Sequence, residues 1–413
     1  MPTPEQGPRA EADPDIAGRE RFMAEAVRLA RQGLGATAPN PCVGAVLVQD
    51  GEIVARGWHT AHGKPHAERE AIADARARGV DTAACDLYVT LEPCNHHGKT
   101  PPCTEAVLEA GIRRVFVGAA DPNPRVAGGG GEFLRSRGVT VDMGVLGQEC
   151  RDLIADFLAW QLEHRAYCIL KLAETLDGRI AARGSRAEPE AVSGPESHAR
   201  VQALRALAGA VIVGGGTLRA DNPRLTCRQP DRRPDAPQPL AVVVTRRLPW
   251  PDEERHWLLM HRHRELIFWT SEEAARSDAA KALAASQVRV WGLPEGPRGL
   301  ALRSGLERLF SECGVHYALC EGGGRLAYSL AGQGLADETR LFLSPRVLGD
   351  ACAVPAFCGG FAPEGAGDAG DAPCMAGALR LRFCGAEPSG EDMMLTLRPQ
   401  TFAAHDLAHK EAL

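Results

Sequence analysis

The sequence predicts an α/β protein of two consecutive domains, on three observations. Its 413 residues are 44% apolar and 24% charged, globular proportions sufficient for two cores at roughly 150 residues per domain. Strand-like apolar runs alternate with helical spacings from Phe22 to Val145, and a second alternation begins near Ala166. Between the two, residues 148–165 read as a linker helix, so the first domain is placed at 21–147 and the second at 166–400. Residues 1–20, polar and proline-bearing, read as a disordered leader, and 401–413 as a frayed tail.

In chain order, Phe22, Met23, Ala26, Val27, Leu29 and Ala30 recur at helical spacing. Strands at 43–48 and 53–56 flank Asp50-Gly51, a pair that favours a tight hairpin because both residues tolerate positive φ. A helix at 66–78, a buried strand at 87–91, a helix at 103–110 and strands at 114–117 and 139–145 follow, which predicts helices on both faces of a sheet. The glycine run 128–131 lacks the Gly-x-Gly-x-x-Gly spacing and reads as a loop, and 149–162 reads as one helix. The second domain offers strands at 168–172, 210–213, 240–245, 266–269, 288–291 and 317–320, with helices at 195–207 and 305–313. Residues 359–376 read as an excursion loop, and 378–384 with 393–397 as a terminal strand pair.

Forty-seven basic against 53 acidic side chains leave a net charge of −6. Without a basic excess to neutralise a phosphate backbone, nucleic acid is a poor partner and a small polar substrate fits better. No run approaches the roughly 18 apolar residues of a membrane span, and the N-terminus has no cationic start before an apolar stretch, so a cytoplasmic protein without a membrane partner is expected. Thirteen scattered cysteines, an odd number, imply reduced thiols, some available to metal.

The chemistry concentrates in His66-Ala-Glu68 and in Pro93-Cys94 through Pro102-Cys103. One imidazole and two thiolates supply three ligands for a tetrahedral zinc, leaving a fourth position for water. Zinc lowers the pKa of such water toward ~7, and Glu68, two residues after His66, is placed to carry its proton. A His-x-Glu and Pro-Cys pair with a non-ligating glutamate is the signature of zinc deaminases acting on nucleobases. Spacing alone leaves open a closed site using His96 or His97, or a zinc-stabilised interaction protein, although the latter has no need of Glu68.

Thr37-Ala-Pro-Asn-Pro-Cys-Val-Gly44, Gly57-Trp-His59, Pro65-His-Ala-Glu68 and Glu92-Pro-Cys-Asn-His-His-Gly-Lys-Thr-Pro-Pro-Cys103 resemble the deaminase half of the bifunctional riboflavin biosynthesis deaminase–reductase family. Eight residues separate the two cysteines, where cytidine and tRNA-adenosine deaminases of similar scaffold have two. The resemblance implies a cytidine-deaminase-like α/β/α domain. It also implies that Asn40, His59, His96 and Lys99 contact the pyrimidine or ribose phosphate of a small phosphorylated pyrimidine. An amide suits a base edge, and an ammonium with imidazoles suits a phosphate.

Gly214-Gly-Gly-Thr217 and Glu321-Gly-Gly-Gly-Arg325 each follow a strand, but by themselves read as turns. With Leu170-Lys-Leu-Ala-Glu-Thr-Leu-Asp-Gly-Arg-Ile180 they are similar, in order, to the reductase motifs of the same family, whose domain resembles dihydrofolate reductase. That likeness puts Ala173, Thr217, Asp221, Gly322, Gly323 and Gly324 at NADPH positions, and Lys171, Arg205, Leu225, Arg228 and Glu321 at substrate positions. Arg205 and Arg228 suit a ribose phosphate, and Arg246 with Arg247 suits the 2′-phosphate of NADPH. The proton donor is left among Lys171, Asp177, Asp221 and Glu321.

The family's Ser-x-Trp-Ile-[ST] segment aligns with Pro189-Glu-Ala-Val-Ser193, so the usual serine and tryptophan are replaced by Pro189 and Ala191. Losing tryptophan removes a stacking surface. The implied function is zinc-dependent deamination of 2,5-diamino-6-ribosylamino-4(3H)-pyrimidinone 5′-phosphate, then NADPH-dependent reduction of ribosyl to ribityl. A deaminase with a degenerate reductase domain is the alternative. A homo-oligomer is compatible with the sequence, and His256, His261, His263, Cys352 and Cys358 carry no catalytic spacing.

Overall fold

The structure is a computed structural model, describing residues 14–96, 101–122, 129–182, 191–230, 232–233, 235–253, 256–359 and 378–400. The chain divides into two compact units, Met1–Glu163 and His164–Leu413.

In the first unit the Asp50-Gly51 turn, with φ of 52° and 78°, joins β1 (Gly44–Gln49) to β2 (Glu52–Trp58) as the hairpin expected of that dipeptide. β3 (Asp86–Leu91), β4 (Arg114–Ala119) and β5 (Thr140–Met143) complete a sheet of order β2-β1-β3-β4-β5. β1 is antiparallel to β2 and β3, whereas β3, β4 and β5 are parallel. Period-2 alternation sorts the side chains: Ala45, Leu47, Val89 and Val117 pack with Ala67, Ala71 and Val107 of helices α2 (Ala67–Ala77) and α3 (Cys103–Glu109). Tyr88 and Phe116 stack at 4.4 Å between ring centroids, and Phe22 of helix α1 (Pro14–Ala30) lies 5.2 Å from Tyr88. The layers are α/β/α.

Three expectations need correction here. Helix α1 starts at Pro14, so residues 14–20 are helical rather than a disordered leader. Its first turns are polar and invisible to hydropathy, yet Arg19 sits 5.0 Å over the Phe116 ring and pairs with Asp142 at 3.1 Å, so cationic groups dock this segment. The glycine run is not all loop either, because Gly130 and Gly131 open helix α4 (Gly130–Ser136). A Cβ on Gly130 would collide with the Pro93 carbonyl, so the missing side chain lets α4 close on the residue before Cys94. Glu92 then binds the Gly131 N–H at 2.8 Å and the Asp121 N–H at 3.2 Å. The single helix expected at 149–162 is two, Gly147–Leu153 and Ala155–Gln161, broken where Ile154 takes φ −107°, ψ 14°.

The second unit is built on β6 (Tyr167–Thr175), β7 (Ala210–Gly214), β8 (Leu240–Val244), β9 (Leu266–Ser271), β10 (Arg289–Leu293), β11 (Tyr317–Cys320), β12 (Glu338–Ser344), β13 (Leu381–Ser389) and β14 (Asp392–Pro399). The sheet order is β10-β9-β8-β7-β11-β6-β12-β14-β13, parallel from β10 to β12, with the terminal hairpin antiparallel. β12 and the helices Gly215–Asp221, Asp278–Ala285 and Gly324–Gly332 were not expected from the sequence. Leu170, Ile212, Val242, Ile267 and Trp269 form one core with Leu306, Leu309, Ala327 and Leu330 of the helices Leu302–Cys313 and Gly324–Gly332. Residues 360–376 of the expected excursion loop and 401–413 of the expected tail lie outside the described residues. No helix among the described residues is long and apolar enough to cross a membrane.

Candidate functional site

In the first unit, two helix starts and one strand end converge. His66 caps the N-terminus of α2 with extended backbone, Cys103 is the first residue of α3, and Cys94 follows the end of β3. A Cβ on Gly57 would strike the Ala67 carbonyl, so this glycine admits the start of α2 against β2 and with it sets His66. The ligand atoms of His66, Cys94 and Cys103 all lie within 4.8 Å of one another. His66 Nδ1 is 3.6 Å from Cys94 Sγ and 3.3 Å from Cys103 Sγ. A tetrahedral zinc, ~2.3 Å from sulfur and ~2.0 Å from nitrogen, separates such atoms by about 3.5 Å, so the donor set and its spacing fit the ion.

The Cys103 N–H donates to Cys94 Sγ at 3.3 Å and the Thr104 N–H to the Cys94 carbonyl at 3.2 Å, tying the strand end to the helix start. The Cys103 side chain, bonded to Cys94, pulls the Cys94 thiol well below its ordinary pKa, with His66 and the Cys103 N–H adding to the effect, and the bond with Cys94 raises His66. Glu68, 3% exposed, is not one of the three clustered ligands. Burial pushes its carboxyl above the usual carboxylate range, and the Cys94 charge pushes the same way.

His59, 2% exposed, donates from Nδ1 to the Pro65 carbonyl at 2.9 Å, which leaves Nε2 to accept from Asn40 Nδ2 at 3.3 Å. Burial lowers its pKa, so the ring is neutral and turns the Asn40 amide. Among the described residues the Asn40 Oδ1 keeps no protein donor, an arrangement suited to a base amine. His96 is exposed and outside the ligand cluster, whereas His97 and Lys99 fall outside the described residues.

In the second unit, a cleft of about 1010 Å³ opens at the C-terminal ends of β6, β7, β8 and β11, the usual ligand edge of a parallel sheet. Lys171, Ala173, Thr217, Asp221, Glu321, Gly322, Gly323 and Gly324 all line it, as do His198 and Arg298, for which the sequence carries no spacing signal. A Cβ on Gly214 or Gly216 would meet nothing within 4 Å, and one on Gly323 only atoms at 4.0 Å, so these backbones border open space that fits a pyrophosphate. Lys171, among the described residues, has no hydrogen bond or ion pair; its Nζ lies 5.8 Å from the Phe342 ring centroid, and burial lowers its pKa.

Arg205 and Glu321 pair with each other, and Arg205 Nη1 also donates to the Thr226 carbonyl at 2.9 Å. Arg205, Leu225 and Arg228 are not among the cleft-lining residues: Leu225 is buried with φ of 51°, and Arg228 is exposed. Arg246 reaches the cleft, paired with Glu295 at 2.9 Å, and Arg247 does not. Ala191 is exposed with its carbonyl bound by Arg346 at 3.1 Å, while Pro189 lies outside the described residues. Asp177 is held by Thr175 Oγ1 at 2.6 Å and by the N–H groups of Leu348 and Gly349, away from the cleft. Cys358, which the sequence left without a role, lines the cleft.

Residues 166–395 match the family model described as the RibD C-terminal domain, more than half of the chain. The chain belongs to the RibD family. Residues 17–119 match the cytidine and deoxycytidylate deaminase zinc-binding region. Riboflavin biosynthesis protein RibD of Actinobacillus pleuropneumoniae is 35% identical over 91% of this chain and 93% of its own length, and that of Aquifex aeolicus is 35% identical over 91% and 97%. Among solved structures, Acinetobacter baumannii RibD superposes with a TM-score of 0.66 at 30% identity, covering 93% of this chain and 99% of that one. The diaminohydroxyphosphoribosylaminopyrimidine deaminase/5-amino-6-(5-phosphoribosylamino)uracil reductase of Thermotoga maritima gives 0.67 at 34%, with the same coverage. The family unites a deaminase domain and a reductase domain in one chain, and the two units described above are those domains.

Proposed function

We propose that the first unit hydrolyses the ring amine of 2,5-diamino-6-ribosylamino-4(3H)-pyrimidinone 5′-phosphate and that the second reduces the ribosyl group of the product to ribityl with NADPH. The carrying observation is the convergence of the ligand atoms of His66, Cys94 and Cys103 beside a buried carboxyl, Glu68, that is not one of them. These three side chains would hold zinc, which would supply a Lewis acid that acidifies the attacking water. Glu68 accepts the proton of the attacking water and delivers it to the departing ring amine, a role that its buried position and raised pKa suit. Asn40, turned by His59, accepts from the base edge, and Lys99 with His96 takes the phosphate end.

In the cleft, Gly214, Gly216 and the Gly322–Gly324 turn would border the NADPH pyrophosphate, with Ala173, Thr217 and Asp221 along the rest of the cofactor. NADPH supplies hydride to C1′ of the sugar. As the C1′–O4′ bond breaks, O4′ takes a proton. Lys171 donates it, because Glu321 is engaged by Arg205, Asp177 lies off the cleft and Asp221 is assigned to the cofactor.

A coupled assay tests both halves: ammonia release from the pyrimidine substrate, and nicotinamide absorbance with NADPH present. Ammonia release without NADPH oxidation would leave only the deaminase half standing. Oxidation that starts only from deaminated substrate would support the stated order.

A further inference from the structure

Arg69 follows Glu68 on α2, so His66, Glu68 and Arg69 occupy a single helical turn. Its guanidinium leaves that helix and donates from Nη2 to the Pro101 carbonyl at 3.0 Å and to the Pro102 carbonyl at 3.1 Å. These are the two residues before Cys103, and Pro102 is the N-cap of α3. Neither proline has an N–H, and the first intrahelical bond that the Pro102 carbonyl accepts, from Ala106, is stretched to 3.5 Å. The start of α3 is therefore held from outside: by Arg69 at the carbonyls, and by Cys94 through the Cys103 and Thr104 N–H groups.

Among the described residues the buried Arg69 Nε has no hydrogen-bond partner. Leaving such a donor unpaired carries a desolvation cost. The side chain adopts this position despite that cost, and its two bonds fall on adjacent carbonyls beside a metal ligand. No single-element property of α2 accounts for such an arrangement.

We infer that Arg69 is a positioning residue of the metal centre: it fixes the distance between the helix start that carries His66 and the one that carries Cys103. This rests on the zinc reading proposed above. His66 and Cys103 sit on separate helices, and the stretch between Cys94 and Cys103 is long, so the chain alone leaves the third ligand free to drift. A forked cation joining α2 to the two carbonyls ahead of Cys103 removes that freedom. Partners of this kind are typically worth about 10–100-fold in metal affinity.

The test uses the full-length chain as wild type, Arg69→Ala and Arg69→Lys, with two readouts: zinc release to a chromophoric chelator, and the visible absorption bands of the cobalt-substituted protein. Arg69→Ala should release zinc at least about 10-fold faster, with shifted cobalt bands and an unchanged far-ultraviolet circular dichroism spectrum. Arg69→Lys, which keeps a donor within reach of a carbonyl, should fall between the two. Release at the wild-type rate with wild-type cobalt bands in Arg69→Ala overturns the inference. Should the alanine variant not fold, the lysine variant decides: faster release supports the inference and a wild-type rate overturns it. A wild-type chain that takes up no zinc overturns both this inference and the zinc reading beneath it.

Discussion

Arg205 and Glu321 meet fork to fork, Nε to Oε1 at 2.6 Å and Nη2 to Oε2 at 2.7 Å, with each side chain 12% exposed. Both residues were expected to face the substrate, yet each satisfies the other first. Removing one partner of so buried a pair strands the remaining charge, at about 3–5 kcal/mol. Glu321→Leu should therefore melt the second unit at markedly lower temperature, whereas a Glu321→Leu, Arg205→Met double variant should recover much of the loss. Calorimetry of wild type, Glu321→Leu, Arg205→Met and the double variant checks this, and a double-variant loss equal to the sum of the two single losses would show that the pair is not coupled.

At the metal centre, ligand and proton carrier are separable because Glu68 is not one of the clustered ligands. Glu68→Gln should retain bound zinc and lose ammonia release by about 10²–10⁴-fold, the usual worth of a positioned acid/base group. Chelation should abolish ammonia release while leaving NADPH oxidation on deaminated substrate intact. Loss of both activities on chelation would contradict the assignment of the metal to the first unit alone.

These sites differ in how far the sequence announces them. Asp50-Gly51 and the His66, Cys94 and Cys103 set are legible because a tight hairpin and a tetrahedral metal each demand few residue types at fixed separations. β12 was missed because Glu338 and Arg340 break its apolar alternation. Only the fold shows Glu338, 6% exposed, taking 2.6 Å bonds from both Arg340 and the distant Arg398. The helix Gly324–Gly332 hides in a similar way, since an opening glycine with poor helical propensity sits where a Cβ would strike the Pro355 carbonyl. The Arg205–Glu321 pair joins positions 116 residues apart, and no local pattern encodes it.

Of the two arginines after β8, only Arg246 reaches the cleft, and its partner there is an exposed carboxylate, Glu295. If Arg246 exchanges Glu295 for the 2′-phosphate of the cofactor, Arg246→Ala should raise KM for NADPH several-fold, leave KM for NADH unchanged, and be matched by no effect of Arg247→Ala. Steady-state kinetics with both cofactors decide it, and an unchanged NADPH preference in Arg246→Ala removes the residue from cofactor recognition.

Glu25 on α1 accepts from Arg28 Nε at 2.7 Å and from Arg56 Nε of β2 at 3.0 Å, and these bonds, Arg28 first, lower its pKa from 4.5 to about 2. With the folded value depressed, the unfolded chain binds the extra proton as pH falls. The stabilisation is thus present above about 4.5 and lost as pH drops to about 2. Arg28 and Arg56 are well exposed, so screening limits the effect to roughly 1 kcal/mol. Glu25→Gln should melt below wild type at pH 6 and level with it near pH 2. A gap that persists at the acid end would assign the effect to packing rather than to charge.

Lys171 lines the cleft without an ion pair among the described residues, and burial holds its pKa below the ordinary lysine value of 10.5; Glu321 opposes that shift and Arg205 reinforces it. A lysine that donates a proton works only while protonated. NADPH oxidation should therefore fall as pH rises through this lowered pKa, giving an alkaline limb below the range of a solvated ammonium. Lys171→Met should cost about 10²–10⁴-fold in reductase turnover with ammonia release untouched. Lys171→Arg is the sharper variant, because a guanidinium stays protonated across the accessible range. It should lose rate and lose the limb together. The same limb at the same pH in Lys171→Arg would assign that titration to another group, with Asp221, also in the cleft and pushed upward by burial, next to be replaced.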